Sequence, residues 1–307
     1  MSSFPAASSK MTFATRPRNL GSFTIGRVAE LEFPAFDALE FFPAATTPMI
    51  YEARRVLPGR ISDDGKIVMS FHSFVVKTDH FTIVIDTCCN KSRPGREQFN
   101  RSKYDYLQGL AALNVKPEQV THVMCTHLHW DHVGWNTQEI DGQWLPTFPN
   151  AKYVMARREY DFWNAAYLRK PKSRDNPQLL SFEDSVLPIM RAEKAILVDD
   201  DFELDNGIWL EPCHGHSPGH VVLNLASNGH KGAFIGDVLH HPMQLLYPEL
   251  SSRADYDMEA SRISRRALIE KHAGEGTVIM PQHFASPSCG TIDRSGQAFR
   301  FNFLADT

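Results

Sequence analysis

The sequence has few cysteines, and their spacing does not indicate a disulfide framework. Five cysteines occur in 307 residues, at positions 88, 89, 125, 213 and 289, and no two of them form a C-x-x-C pair. An odd number without regular spacing argues against a set of structural disulfides. The adjacent Cys88 and Cys89 are poorly placed to pair with each other. Reduced thiols are typical of cytoplasmic proteins, so we predict a cytoplasmic location.

Excess positive charge and long apolar runs are also missing. The formal net charge is -4, which argues against a nucleic-acid partner because such proteins usually carry a basic stripe. No apolar run approaches the roughly 18 residues that a membrane-spanning helix needs. The N-terminal segment MSSFPAASSKMTFATRPRN lacks the continuous apolar core of a secretory signal. We therefore predict a small-molecule substrate, with neither a nucleic-acid nor a membrane partner.

Apolar patterning predicts strands with helices between them, and neither an internal repeat nor a Pro/Gly/Ser-rich linker divides the chain. The strand-like stretches are Phe23–Leu31, Ile67–Val76, Phe81–Thr87, Thr121–Cys125, Lys152–Met155, Ile208–Leu210, Val221–Leu225, Gly232–Ile235 and Thr277–Met280. The helix-like stretches are Tyr104–Leu113, Arg157–Leu168 and Met258–His272. Residues 77–80 suit a hairpin turn. We predict an α/β chain with a flexible arm over residues 1–20 and one domain over residues 21–307.

The segment THLHWDH carries the strongest chemical signal, because it places four candidate metal ligands directly after an apolar strand. These ligands are His127, His129, Asp131 and His132. Imidazole nitrogens and carboxylate oxygens are the donors that zinc and similar divalent ions prefer. Four ligands within six residues cannot all reach one ion from a regular strand or helix, but on a loop alternate side chains can face two ions. The alternative is a polar loop that happens to be rich in histidine.

This H-x-H-x-D-H pattern resembles the signature of the metallo-β-lactamase superfamily, and later segments extend the resemblance. CHGHSPGHVVL places His216 in the position of a third histidine ligand, and AFIGDVLHH supplies Asp237 as the bridging acid. VIMPQHF supplies His283 as the final ligand. The turn IDTCCN corresponds to the family's VDTG turn, so we expect Asp86 to support the ligand loops by hydrogen bonding. Cys88 replaces the glycine of that turn.

The resemblance implies a four-layer αββα sandwich of the metallo-β-lactamase type that holds two divalent metal ions, most simply zinc. Carried over, the first ion would be bound by His127, His129 and His216, and the second by Asp131, His132 and His283. Asp237 would bridge both ions and offset the repulsion between them. A hydroxide bridging the ions would attack the substrate, because metals lower the pKa of bound water from 15.7 towards about 7. Asp131 has a second implied role, orienting this nucleophile.

Differences among subfamilies narrow the implied reaction. The commonest zinc β-lactamases have a cysteine where Asp237 stands, and glyoxalase II enzymes continue into a helical extension, whereas 24 residues follow His283 here. The pattern is most similar to acyl-homoserine lactonases and methyl-parathion-hydrolase-like enzymes. We therefore expect hydrolysis of a small lactone or of a carboxyl or aryl ester. The alternatives are phosphotriester hydrolysis and a mononuclear iron dioxygenase acting on a sulfur substrate.

Four other features leave alternatives open. His240 follows Asp237 by three residues, where related lactonases place a tyrosine and the organophosphate-hydrolase-like branch, which the segment GDVLHHP resembles, places a histidine. It is therefore a candidate hydrogen-bond donor to substrate. Otherwise it caps a loop and faces solvent, and His241 is its rival. His214 and His220 could orient ligands or simply be loop residues, and His272 is predicted to lie at the surface. Trp135–Asn150, predicted to be an inserted loop, and the aromatic helix segment YDFWNAAYL line a pocket, pack in the core or form an oligomer contact. FPAFDALEFFPAA covers the pocket or contacts a second subunit, which would make the protein a homodimer.

Overall fold

The computed structural model of the protein describes residues 14, 16–90, 99, 105–170 and 176–305. The fold is built around two large β-sheets. The strands are β1 (Arg18–Leu20), β2 (Phe23–Asp37), β3 (Lys66–Lys77), β4 (Thr82–Ile85), β5 (His122–Met124), β6 (Thr137–Ile140), β7 (Gln143–Pro146), β8 (Lys152–Ala156), β9 (Ala195–Val198), β10 (Glu203–Asp205), β11 (Ile208–Pro212), β12 (Val221–Ser227), β13 (His230–Gly236), β14 (Val278–Pro281), β15 (Gly290–Ser295) and β16 (Ala298–Phe303). The helices are α1 (Ala38–Phe41), α2 (Thr47–Val56), α3 (Tyr106–Ala112), α4 (Arg157–Arg169), α5 (Pro177–Ser181), α6 (Leu187–Arg191), α7 (Met243–Leu246) and α8 (Met258–His272). A π-helical turn, Phe182–Val186, joins α5 to α6.

The first sheet has the strand order β1-β2-β3-β4-β5-β8-β9 and changes from antiparallel to parallel at β4. The β3–β4 turn is tight, because the Thr78 hydroxyl accepts hydrogen bonds from the amides of His80 and Phe81. Parallel neighbours need a longer crossover, which α3 supplies between β4 and β5 and α4 supplies between β8 and β9. The carboxyl ends of β4, β5 and β8 therefore meet at one edge of the sheet.

The second sheet has the order β10-β11-β12-β13-β14-β15-β16, and its one parallel pair is β13–β14. Helix α8 lies in the connection between these two strands. The carboxyl ends of β13 and β14 consequently lie side by side. In each sheet, neighbouring parallel strands therefore end at the same edge, and the loops that follow them begin there.

The two sheets pack face to face and are covered by helices on their outer faces. Phe74 from the first sheet and Phe234 from the second contact each other in the shared apolar layer, with ring centroids 5.1 Å apart. On the outer face of the first sheet, Leu110 of α3 and Phe182 of the π-helical turn complete a buried cluster. Ile269 of α8 does the same against the second sheet. This order of layers confirms the predicted αββα sandwich.

Several predicted elements coincide with the observed ones. Helix α8 has the predicted bounds, and the Asp257 carboxylate caps it by accepting hydrogen bonds from the amides of Glu259 and Ala260. Helix α3 begins after Asp105, which caps it in the same way. Tyr104, which the predicted helix included, lies outside the described residues.

The structure corrects three expectations. The predicted flexible arm over residues 1–20 extends too far, because residues 18–20 form β1. This strand pairs with β2 through a turn that places Leu20 opposite Phe23. Residues 1–13 and 15 lie outside the described residues. The segment Trp135–Asn150, predicted as a loop, contains the β6–β7 hairpin. His272, predicted at the surface, is buried where α8 packs on the second sheet. Within the described ranges, no helix is both long and apolar enough to cross a bilayer.

Candidate metal centre

The predicted ligands converge where the two sheets meet, because each follows a strand or a strand connection that ends at that edge. The loop after β5 carries the histidine motif, and the turn between β11 and β12 carries His216. Asp237 follows β13 directly, and His283 lies two residues beyond β14. Parallel pairing of β13 with β14 places the last two side chains next to each other. The site is thus assembled from segments that are distant in the chain.

Seven donor side chains form two neighbouring groups, and within each group the ligand-type atoms lie within 4.8 Å of one another. The first group is His127, His129, His216 and Asp237, and the second is Asp131, His132 and His283. All but Asp131 are buried.

The Asp237 carboxylate lies between the two groups. Its Oδ1 atom is 3.1 Å from the Nε2 atoms of both His132 and His283. Its Oδ2 atom is 3.3 Å from His216 Nε2 and 3.9 Å from His127 Nε2. One carboxylate is therefore shared by histidines of both groups, which is the arrangement that a bridging ligand requires.

The donor set fits divalent cations better than it fits a self-contained protein core. His127 Nε2, His132 Nε2 and Asp237 Oδ1 are buried without a hydrogen bond of suitable geometry, which is uncommon for buried polar atoms. Burial, together with neighbouring histidines, lowers the pKa of His127 and of His129 well below the ordinary value. Unprotonated imidazoles and a buried carboxylate that share one volume are the chemistry of a zinc-type site.

The second ring nitrogen of each of three candidate ligands is held by a fixed acceptor. His132 Nδ1 lies 2.8 Å from Asp86 Oδ2, and His216 Nδ1 lies 2.9 Å from Asp255 Oδ1. His283 Nδ1 lies 3.0 Å from the backbone oxygen of Ser70. Such contacts place the proton on Nδ1 and turn Nε2 toward the centre.

Asp86 supports the ligand loops as predicted. Its carboxylate accepts hydrogen bonds from the amide and the hydroxyl of Thr126 at 2.8 and 2.7 Å, and from Gln282 Nε2 at 2.9 Å. Asp86 and Cys88 both have a positive φ, 50° and 51°. Cys88 therefore keeps the left-handed backbone conformation that glycine adopts more readily, and the turn survives the replacement.

His240 faces the centre rather than solvent. It is buried, and its Nε2 atom lies 3.3 Å from Asp237 Oδ2. Its ring is parallel to that of His283, with centroids 5.8 Å apart, and it also contacts the rings of His216 at 4.9 Å and Phe41 at 5.4 Å. Burial lowers its pKa, although Asp237 acts in the opposite direction. His241 instead holds a loop, because its Nε2 lies 2.9 Å from the Arg60 backbone oxygen.

His220 and His214 have different roles. His220 is buried, and its Nε2 atom accepts a hydrogen bond from the Asp237 amide at 3.1 Å. Gly236 makes this approach possible, since a Cβ atom there would lie 2.5 Å from His220 Nε2. His220 therefore fixes the backbone at Asp237. His214 lies away from the centre and pairs with Asp200 at 2.8 Å.

A cavity of about 280 Å³ opens onto the ligand groups, and its wall is mainly aromatic. The aromatic lining residues are Phe36, Phe41, Phe71, Trp130, Trp163 and Tyr256, beside the candidate ligands and His240. The N-terminal segment FPAFDALEFFPAA thus contributes to the pocket wall, as does helix α4 through Trp163. Trp135 does not, because its ring stacks on Tyr106 at 5.2 Å and its indole nitrogen donates to Glu30.

Three supporting residues have no signal in the sequence. Glu159 and Asp255 are buried acids that hold ligand loops, and Ser70 acts through its backbone oxygen. Each lies far in sequence from the side chain that it supports, so no local spacing marks it.

Part of the chain is similar in sequence to N-acyl homoserine lactonases. The N-acyl homoserine lactonase of Bacillus cereus is 28% identical over 114 residues, which are 37% of this chain and 36% of that protein. The N-acyl homoserine lactonase AttM of Azorhizobium caulinodans is 31% identical over 129 residues, 38% of this chain and 41% of that protein. The matched region thus spans well under half the length of either relative.

Solved structures share the whole fold at low identity. The hydrolase AbOPH of the beta lactamase superfamily has a TM-score of 0.83 at 22% identity and covers 97% of this chain and 100% of its own. AidC, a dizinc quorum-quenching lactonase in complex with a product, has a TM-score of 0.78 at 19% identity and covers 96% and 99%. Residues 71–283 match the sequence profile of the metallo-beta-lactamase superfamily. The chain therefore belongs to the metallo-beta-lactamase superfamily.

Proposed function

We propose that this chain is a two-metal hydrolase that cleaves a small, largely apolar lactone or carboxyl or aryl ester. The observation that carries the proposal is the position of the seven donors at the base of an aromatic-walled cavity. The resemblance of part of the chain to N-acyl homoserine lactonases supports the same reaction class.

The proposed ligands follow the two groups of donors. His127, His129 and His216 would hold the first ion, Asp131, His132 and His283 the second, and Asp237 both. Zinc suits a site of imidazoles and carboxylates, and the structurally similar AidC is a dizinc enzyme. When bound, the two ions would act as Lewis acids and lower the pKa of a water molecule towards about 7.

The chain's own residues would position the reactants and handle protons. Asp237 would offset the repulsion between two cations, because it is shared by both groups. Asp131 is the least buried of the ligands and lines the cavity, with Oδ2 3.5 Å from His283 Nε2. A carboxylate at this place can orient the attacking water and accept its proton.

His240 would donate a hydrogen bond to the substrate oxygen that gains negative charge. It lines the cavity and has ring atoms directed at the same volume as the proposed ligands. A neutral imidazole carries one N–H donor. A donor that is already in position stabilises the transition state most strongly when it faces the atom on which charge develops.

The cavity wall favours a substrate with an apolar or aromatic body. Phe36 and Phe41 stack on each other with centroids 5.1 Å apart, and Trp130 lies on the same wall. Sites of this kind bind by shape and apolar contact, while a few polar groups fix orientation. An acyl chain or an aryl ring would fit here with the scissile bond over the donors.

Phosphotriester hydrolysis is a second candidate. It is favoured by His240, since the organophosphate-hydrolase-like branch that the sequence resembles has histidine at this position. The same cavity and donors would accept a neutral phosphotriester with an aryl leaving group.

The deciding experiment combines metal analysis with a substrate panel. The zinc-reconstituted chain would be assayed with homoserine lactones, aryl esters, phosphotriesters and β-lactams, and its metal content measured by mass spectrometry. We expect two ions per chain and turnover of the lactones or esters. As a control, His132→Ala should retain fewer than two ions per chain and lose turnover. One iron per chain with oxidation of a sulfur substrate would overturn the proposal in favour of a dioxygenase. Turnover of phosphotriesters alone would favour the second candidate.

A further inference from the structure

Glu159 is a fully buried carboxylate in the first turn of α4, and it is not one of the proposed ligands. Its two oxygens accept four hydrogen bonds. Its Oε1 atom accepts from the Leu128 amide at 3.2 Å and from the Trp163 indole nitrogen at 2.8 Å. Its Oε2 atom accepts from the Ser217 hydroxyl at 2.9 Å and from the Gly219 amide at 2.8 Å.

These four donors belong to three different parts of the site. Leu128 lies between His127 and His129 in the first ligand loop, and Ser217 directly follows His216 in the second. Trp163 belongs to the cavity wall. One carboxylate therefore connects the two loops that carry the histidines of the first group.

The second group is held by different contacts. His132 is held by Asp86, and His283 by the Ser70 backbone oxygen. Among the described residues, Glu159 forms no hydrogen bond with His132, with His283 or with the groups that hold them. A disturbance at Glu159 should therefore reach the first group and leave the second largely intact.

The site requires a carboxylate rather than any polar side chain. A carboxylate offers acceptor positions on both oxygens, whereas an amide has one accepting oxygen and an NH₂ group that only donates. With glutamine, either the first-loop donors or the second-loop donors would face that NH₂ group. The amides of Leu128 and Gly219 cannot reverse their direction, so one loop would lose its acceptor.

The packing leaves no room for an alternative link. A Cβ atom on Gly219 would lie 2.3 Å from the Glu159 backbone nitrogen, so the second loop approaches α4 as closely as glycine allows. The first turn of a helix also stabilises negative charge.

We propose that Glu159 is a positioning residue that sets the distance between the His127/His129 loop and the His216 loop, and so the affinity for the first metal ion. The same oxygen that holds Leu128 also holds Trp163, so Glu159 links the metal loops to the substrate wall. This inference rests on the proposed two-metal function.

Zinc affinity of the metal-free full chain, measured by competition with a chromophoric chelator, tests the inference without any substrate. Asp131→Ala is used to isolate the first site and His129→Ala the second. In the Asp131→Ala background, Glu159→Gln should weaken zinc binding by about 10–100-fold, as for other residues that orient ligands. In the His129→Ala background, the same change should alter the zinc affinity by less than about threefold.

Trp163→Phe is the matched control, because it removes one donor to Glu159 while leaving both loops attached. It should change KM for bulky substrates and leave both zinc affinities unaltered. If Glu159→Gln fails to fold by circular dichroism, Ser217→Ala removes one second-loop contact and should still weaken only the first site.

The possible outcomes separate the two proposals. Wild-type chain that binds two zinc ions, with no effect of Glu159→Gln or Ser217→Ala on the first site, would overturn the inference alone. Equal losses at both sites would also overturn it, because Glu159 would then be a general stabilising residue. A wild-type chain that binds no zinc would overturn the proposed function together with this inference.

Discussion

His216 Nδ1 lies 2.9 Å from Asp255 Oδ1, although 39 positions separate the two residues in the chain. The Asp255 carboxylate is itself held, because Oδ2 accepts a hydrogen bond from the Ser252 amide at 2.8 Å. The buried guanidinium of Arg265 lies 3.9 Å from the same oxygen. This chain of contacts fixes the His216 ring with Nε2 toward Asp237. A candidate ligand is thus oriented by a segment that lies beyond the next two strands.

We expect Asp255→Ala to weaken the first metal site, because the His216 ring loses the acceptor that fixes its orientation. The loss should be about 10–100-fold in zinc affinity. Asp255→Asn should lose less, because its amide oxygen can still accept from Nδ1. Isothermal titration of the metal-free variants measures both effects. Equal affinity in the alanine variant and the wild type would show that His216 is held by other contacts.

Removal of Asp237 should reduce metal stoichiometry as well as turnover. Its two oxygens lie 3.1–3.3 Å from histidines of both groups, and without them two cations would face each other with no carboxylate shared between them. For Asp237→Ala we therefore expect fewer than two zinc ions per chain by mass spectrometry after gel filtration. A variant that retains two ions and normal turnover would mean that another residue bridges the site.

His240→Ala should lower kcat and kcat/KM together while both metals stay bound. This pattern is expected if the imidazole donates mainly in the transition state. Loss of one such donor typically costs about 2.7–4 kcal/mol of transition-state stabilisation. Steady-state kinetics on the substrate identified by the panel, with metal content measured in parallel, give the answer.

His241→Ala is the matched control for this variant. His241 is equally buried but is bonded to the Arg60 backbone oxygen rather than directed at the centre. It should reduce thermal stability and leave kcat near the wild-type value. If His240→Ala and His241→Ala changed kcat equally, a role for His240 as donor would have to be abandoned.

Acid should destabilise the protein partly through His272. Burial lowers the pKa of His272 to about 4, with Lys271 acting in the same direction and Glu211 and Glu275 opposing it. The unfolded chain, with an ordinary histidine pKa of about 6.5, then binds the proton more readily than the folded chain. Above pH 6.5, His272 is neutral in both states and does not change the free energy of unfolding. As the pH falls from about 6.5 to 4, His272 lowers that free energy progressively.

His272→Gln should remove this part of the acid sensitivity. Urea unfolding of the metal-free wild type and variant between pH 7 and pH 4 gives the difference in their free energies of unfolding. As the pH falls, the free energy of unfolding should decrease less in the variant than in the wild type. The contributions of the other histidines are the same in both proteins and cancel in the difference. A difference that stays constant with pH would show that His272 titrates normally in the folded protein.

The sequence by itself determined the features that depend on neighbouring residues. Helix α8 could be predicted from Met258 to His272 because its apolar spacing and the Asp257 cap act within a few positions. The candidate ligands could be selected because donor types recur in short motifs, each after an apolar strand. The four-layer sandwich followed from the resemblance that these motifs carry.

Only the tertiary structure decided which distant groups meet. The burial of His272, the pairing of β1 with β2 and the inward direction of His240 depend on packing between elements. Glu159 and Asp255 look like ordinary surface acids in the sequence, because nothing local distinguishes an acid in a helix or loop that faces solvent from one that faces two ligand loops. Hydrogen bonds across 39 to 60 positions exist only once the sheets have brought those loops together.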